Sequence, residues 1–156
     1  MYISDNNFCI LEAPYKITDN IFQGNSFCSE YENNLIDLGI TNILVVGSTL
    51  VEHFPKSFCY LKINLLDNEY EDAYKYFELA YSFIENCINN NGKILIHCMA
   101  GISRSTTFVI VYFIKKYKYS YDKSIEIIKK VNKFASPNKG YVAQLKKLEK
   151  LYISNL

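Results

Sequence analysis

The sequence predicts an α/β domain with a central, mostly parallel sheet flanked by helices and a helical C-terminal third. Three observations carry this expectation. Short apolar runs of strand length alternate with segments of helical periodicity as far as residue 97. Beyond that point only helical spacing remains. Glycine or a polar cap residue stands at most of the changes between segments. At 156 residues and 49% hydrophobic, the chain can bury one sizeable core, so 1–156 is expected to form a single domain.

Taken in order, residues 15–24 read as a short strand pair, KIT and NIFQG, around Asp19-Asn20. The pattern from 27 to 38 is helical and closes at Gly39. TNILVV (41–46) is a buried strand ending at Gly47, and FCYLKINL (58–65) is another, followed by the acidic loop LDNEYED. Over 72–90, Ala73, Tyr76, Phe77, Ala80, Phe83, Ile84, Cys87 and Ile88 keep one helical face, with Gly92 past the end. Lys93 to His97 is a short apolar strand. Helices are expected over 105–117, 121–131 and 138–153, the last two started by Ser120 and by Ser136-Pro137. The site of such a domain lies beyond the carboxyl ends of its strands, where residues 98–104 fall.

Composition narrows the function classes. A net charge of +1 gives no reason to expect nucleic acid as partner. MYISDNNFCI lacks a basic start with an apolar signal core, and Tyr2 stands where myristoylation needs glycine. The longest apolar stretch, Phe108 to Ile114, is too short to cross a bilayer. The expectation is a soluble cytoplasmic protein, with the nucleus also open, no membrane partner, and a monomer by default. Five scattered cysteines (Cys9, Cys28, Cys59, Cys87, Cys98) form no C-x-x-C pair, and His53 and His97 are the only histidines. Neither a metal site, a cofactor nor a disulfide framework is expected, and most of these cysteines read as small buried hydrophobes.

ILIHCMAGISRSTT (94–107) contains Arg104, the only arginine among 17 Lys+Arg, six residues after Cys98. Read as a turn from a buried strand into a helix, residues 98–104 can aim successive backbone N–H groups at an anion, with the helix start adding positive potential. Gly101 permits the backbone angles that such a cup requires. A cysteine at its base feels the same field, which favours the nucleophilic thiolate. A guanidinium can hold two phosphate oxygens at once, which an ammonium cannot. A bare structural turn would explain the spacing but not the strand, Gly101, Ser105 and the helix together.

HCMAGISRS resembles the signature loop of the cysteine-dependent protein tyrosine phosphatase superfamily, in its dual-specificity branch and of the small atypical type. YKITDNIFQGN, LGITNILVV, YKYFELAYSFIENCINNNGKILIHC and SPNKGYVAQL are similar to flanking segments of that branch, so the likeness covers most of the chain. It implies a protein tyrosine phosphatase-like fold and a metal-independent hydrolase acting on phosphoproteins. Cys98 would form a phosphocysteine. Arg104 would bind phosphate together with the backbone of Met99, Ala100, Gly101, Ile102 and Ser103. Ser105 would ease departure of the thiolate, and His97 would support the loop and help keep Cys98 ionised.

An acid is also needed, because an alkoxide or phenolate leaves poorly unless protonated. Asp67, Glu69, Glu71 and Asp72 are candidates; Asp67, 31 residues before Cys98, holds the place the resemblance gives to the general acid. Lys133 occupies the area where the family often has arginine, which puts a second basic contact to substrate in doubt. Disulfide trapping of Cys98 by Cys59 or Cys87 is a further idea that the sequence does not place. Alternatives to a protein phosphatase are a phosphoinositide or RNA 5′-phosphatase on the same fold, or a phospho-binding scaffold with little activity. The uncharged Met99, Ala100, Ile102 and Ser103 favour protein substrates over phosphoinositides.

Overall fold

The structure, a computed structural model, describes residues 13–154; Tyr2, Cys9 and the N-terminal stretch discussed above lie outside them. Five strands form one sheet: β1 (Tyr15–Lys16), β2 (Ile21–Gly24), β3 (Asn42–Val46), β4 (Cys59–Ile63) and β5 (Ile94–His97). Their spatial order is β1-β2-β5-β3-β4. Only β1 runs antiparallel, against β2, while β2, β5, β3 and β4 are mutually parallel. Parallel neighbours require crossovers: the helices α1 (Glu32–Asp37) and α2 (Phe77–Asn89) lie in those from β2 to β3 and from β4 to β5, while residues 47–58 carry the chain from β3 to β4 without a helix. Because β5 lies between β2 and β3, the loop that follows it emerges at the centre of the sheet, flanked by the ends of both neighbours.

Alternation along the strands divides the apolar residues between two cores. Ile21, Leu44, Val46, Ile94 and Ile96 face the larger one, shared with α2 and the C-terminal helices α3 (Arg104–Tyr117), α4 (Tyr121–Lys129) and α5 (Lys139–Ile153). Phe22, Ile43, Val45 and Leu95 face the smaller one, closed by Leu35, Ile40, Leu50 and Phe58. The apolar run Phe108 to Ile114 belongs to α3, in which every residue from Ser105 to Lys115 is buried. A helix that is apolar on all sides needs cover on all sides. α2, α4, α5 and the sheet provide it, for instance through the edge-on pair Phe77–Phe108. Lys115, the charged residue in this stretch, pairs with Glu78 and sits 4.4 Å over the Tyr81 ring.

Several expected boundaries are corrected. The helix expected over 27–38 is two pieces, a 3-10 turn at Ser26–Ser29 and α1. The Asn25 side chain caps the first piece at Cys28 N, and Tyr31 then adopts an extended backbone that ends it. The helix expected from residue 72 begins with a 3-10 turn at Tyr74–Tyr76 before α2. Ser120 does cap α4, accepting from Lys123 N. The cap of α5, however, is Asn138, which accepts from Tyr141 N, rather than Ser136-Pro137. Among the described residues no helix is long and apolar enough to cross a membrane, and no group of three or more His, Cys, Asp or Glu side chains could hold a metal ion.

Candidate active site

Residues 98–103 connect β5 to α3, and the scaffold ties this loop down by its carbonyls. Met99 O accepts from Ser26 N at 3.1 Å and Ile102 O from Ser136 N at 2.9 Å. Gly101 O accepts from Asn132 Nδ2 at 2.9 Å. Ser103 O takes both the backbone N–H and the hydroxyl of Thr107, at 3.0 and 2.9 Å. With these carbonyls engaged by the scaffold, none of the N–H groups of 99–103 donates to a protein partner among the described residues. That is the condition for an anion cradle. Gly101 has φ +69, and a Cβ there would stand 2.9 Å from Gly24 C, so no larger residue fits the turn.

The predicted site residues meet at this loop. Cys98 lies at its base, 2% exposed. Its Sγ is 3.2 Å from Ser105 Oγ, to which the thiol donates. Arg104 begins α3, and its Nη1 donates to Leu65 O at 3.0 Å, fixing the guanidinium against the end of the segment after β4. Gly47, at the end of β3, leaves room for that arm, since a Cβ there would lie 3.0 Å from Nη1. Arg104 Nε is buried without a protein partner, a donor that a phosphate oxygen would satisfy.

His97 closes β5 directly beneath the loop. Both ring nitrogens are buried and find no hydrogen-bond partner of good geometry. Burial lowers its pKa to about 4, against a smaller opposing effect of the Cys98 backbone. This favours the neutral imidazole at physiological pH.

Asp67 reaches the site through α5. Its Oδ1 accepts from Asn138 Nδ2 at 2.9 Å, while Asn138 N donates to Ser103 Oγ at 2.9 Å. One residue thus caps a helix and holds both the acidic loop and the anion loop. The rest of the acidic loop is pinned along the same helix. Tyr141 OH donates to Leu66 O, Lys139 pairs with Glu69 at 2.8 Å, and Gln144 Nε2 donates to Glu71 O at 2.9 Å. Burial, then the charges of Asp67 and Glu71, push the Tyr141 hydroxyl above the usual phenol range, so it remains a donor. Glu71 turns inward to accept from Leu66 N at 3.2 Å, and Asp72 accepts from Lys75 N at 3.3 Å. Of the four acidic candidates, only Asp67 is joined to the anion loop by one intervening side chain.

Three polar residues of this site are not apparent from the sequence. Asn138 is legible there only as part of a helix start. Gln23 and Asn132 are buried beneath the loop, and their amides bond to it and to each other. The available signal is a lone glutamine within the apolar strand segment NIFQG. Lys133 is exposed, with Nζ 5.1 Å from the Phe134 ring centroid. Cys59 and Cys87 are not near Cys98. Cys59 pairs with Asn42 at the opening of the parallel strands, and Cys87 lies against Thr41 just before them, whereas Cys98 follows their far ends. The four residues of β5 alone span about 13 Å at ~3.3 Å per residue, beyond disulfide reach.

Residues 21–151 match the family model described as the dual specificity phosphatase catalytic domain. The chain is 33% identical over 135 residues to dual specificity protein phosphatase 1B of Arabidopsis thaliana, covering 86% of this chain and 81% of that one. Among solved structures, it resembles the human tyrosine phosphatase-like serine/threonine/tyrosine-interacting protein with a TM-score of 0.84 and 28% identity, over 90% of this chain and 97% of that one. The fold is also that of human DUSP28, with a TM-score of 0.85 at 22% identity, over 88% of this chain and 93% of the other.

Proposed function

The chain belongs to the dual specificity phosphatase family and is a protein phosphatase, and on that premise we propose that it hydrolyses phosphotyrosine and phosphoserine or phosphothreonine in proteins through a phosphocysteine at Cys98. One observation carries the reading: the carbonyls of 99, 101, 102 and 103 are bound by the scaffold, with Cys98 at the base of the freed N–H groups.

In the first step the Cys98 thiolate attacks phosphorus, the P–O ester bond breaks, and Asp67 gives its proton to the departing oxygen. The loop N–H groups and Arg104 hold the non-bridging oxygens as charge develops on them. In the second step water attacks phosphorus and Asp67 takes its proton. The P–S bond then breaks, its electron pair returns to sulfur, and the Ser105 hydroxyl donates a hydrogen bond to the thiolate. No step requires a metal ion, so chelators should leave the rate unchanged.

The uncharged side chains of Met99, Ala100, Ile102 and Ser103, beside the acidic loop at 66–72, favour a single phosphate on a peptide over a polyanionic headgroup. A phospho-binding scaffold is the second reading, motivated by the neighbour described as an interacting protein. Cys98, Arg104 and Asp67 together argue for turnover. The test compares phosphotyrosine peptides, phosphothreonine peptides, phosphoinositides and 5′-phosphorylated RNA. Turnover of both peptides, lost in Cys98→Ser while tungstate binding survives, is expected. No turnover by the wild-type chain would establish the scaffold instead.

A further inference from the structure

We propose that Gln23 and Asn132 form a one-way hydrogen-bond relay that aims the Ser105 hydroxyl at the Cys98 sulfur, which makes both of them positioning residues for release of the thiolate. The inference rests on the phosphocysteine reading above. Gln23 is 0% exposed and Asn132 1%, so their amides must find partners inside the protein.

The direction of each bond follows from the one before. A backbone N–H can only donate, and that of Phe134 donates to Asn132 Oδ1 at 3.2 Å. This fixes the Asn132 amide: its Nδ2 must be the donor on the other side. The two Nδ2 protons go to Gln23 Oε1 at 3.0 Å and to Gly101 O at 2.9 Å. The Gln23 amide is fixed in turn, with Nε2 facing the start of α3. It reaches Thr106 Oγ1 at 2.7 Å, Ser105 Oγ at 3.0 Å and, more distantly, Gly101 O at 3.3 Å. The two shortest of these contacts are to the hydroxyls, so the two Nε2 protons are assigned to Thr106 Oγ1 and Ser105 Oγ.

Each hydroxyl that accepts from Gln23 must send its own proton elsewhere. Thr106 donates to Ile102 O at 2.7 Å, tying down another carbonyl of the anion loop. For Ser105 the remaining partner is Cys98 Sγ at 3.2 Å. When the sulfur is a thiol it donates to Ser105 Oγ. When the P–S bond breaks and the sulfur becomes anionic, the hydroxyl turns its proton to it without any competing acceptor. Without Gln23, the Ser105 oxygen loses the donor that fixes the hydroxyl's rotation about Cβ–Oγ, and its proton is no longer held toward the sulfur in advance.

The relay acts on the second chemical step, and the experiment reads that step separately. Ser105→Ala should slow phosphocysteine hydrolysis, so that p-nitrophenyl phosphate gives a product burst approaching one per enzyme. In the steady state, kcat and KM should fall together by about 10- to 100-fold, the range expected for loss of a hydrogen bond to a charged group, with kcat/KM nearly unchanged. Gln23→Leu should give the same burst and the same split, and no further loss when combined with Ser105→Ala. Asn132→Asp keeps the acceptor for Phe134 N–H but cannot donate to Gln23. It should turn the Gln23 amide round, divert the Ser105 proton to Oε1 and produce the burst again, which keeps the test decisive if Gln23→Leu does not fold.

Ser105→Ala with a burst and both relay variants without one would overturn the relay and leave the phosphocysteine reading standing. Loss of kcat/KM in the relay variants equal to the loss of kcat, or additive losses in the double variant, would also overturn it, since a merely structural role predicts those. Absence of a burst in Ser105→Ala itself would sink the assigned role of Ser105, and the relay with it.

Discussion

His97, 1% exposed with neither ring nitrogen partnered, shows what burial does to a single ionisable group. Its pKa falls from the ordinary 6.5 to about 4, while the unfolded chain keeps the ordinary value. Above pH 6.5 both states are neutral there, and the residue adds no pH dependence. As pH drops from 6.5 through about 4, the unfolded chain binds a proton that the folded one refuses, so stability is lost over that window. The loss should approach roughly 3 kcal/mol at the acid end, from ~1.4 kcal/mol per pKa unit. Urea unfolding between pH 7 and pH 4.5 measures it, and His97→Gln should flatten the slope; equal slopes in both proteins would contradict the assignment. The charge state of His97 was not legible in the sequence because it depends on what surrounds the ring. Arg104 was legible, since a lone guanidinium at a fixed distance from a cysteine is itself a chemical statement. Gln23 and Asn132 were missed because an amide has no motif: its role depends on distant partners, such as those 82 and 109 residues away.

At the level of elements, the acidic loop and α5 behave as one device. Gly140 marks the contact, because a Cβ there would lie 2.1 Å from Glu69 O. Gly140→Ala must push the loop off the helix and shift Asp67 with it. Displacement by about 1 Å is enough to cost ~100-fold in rate, so kcat on a phosphothreonine peptide should fall by that order. Tungstate affinity, which depends on the 98–104 loop, should be nearly unchanged, and an aryl phosphate with a good leaving group should suffer less than the peptide. A parallel loss of tungstate binding would show that the substitution disturbs the whole site instead. The acidic loop was visible in the sequence as composition, but its attachment to residues 138–144 was not, because side chains that pin a loop carry no periodicity. Periodic segments were the best-read elements: α3, α4 and most of α2 lie where helical spacing puts them. The 26–37 region failed because local caps, at Asn25 and around Tyr31, divide what spacing alone presents as continuous.

For the molecule as a whole, the order β1-β2-β5-β3-β4 brings distant segments to one site. β5 between β2 and β3 places Cys98 beside Gly24 and the end of β3, and the helical last third then delivers Asn132 and Asn138 to the same loop. Alternating strands and helices made the fold class readable in the sequence. Strand order was not, because pairing of parallel strands is decided by long-range packing and leaves no local mark. The central claim is that this assembly turns over phosphate through sulfur, and one variant isolates the intermediate. With a good leaving group the first step does not need the acid, whereas the second needs Asp67 to activate water. Asp67→Asn mixed with an aryl phosphate carrying labelled phosphorus, then quenched in acid and digested, should therefore hold the label on the peptide containing Cys98, close to one per chain. Label on any other residue, or none while product continues to form, would contradict the account.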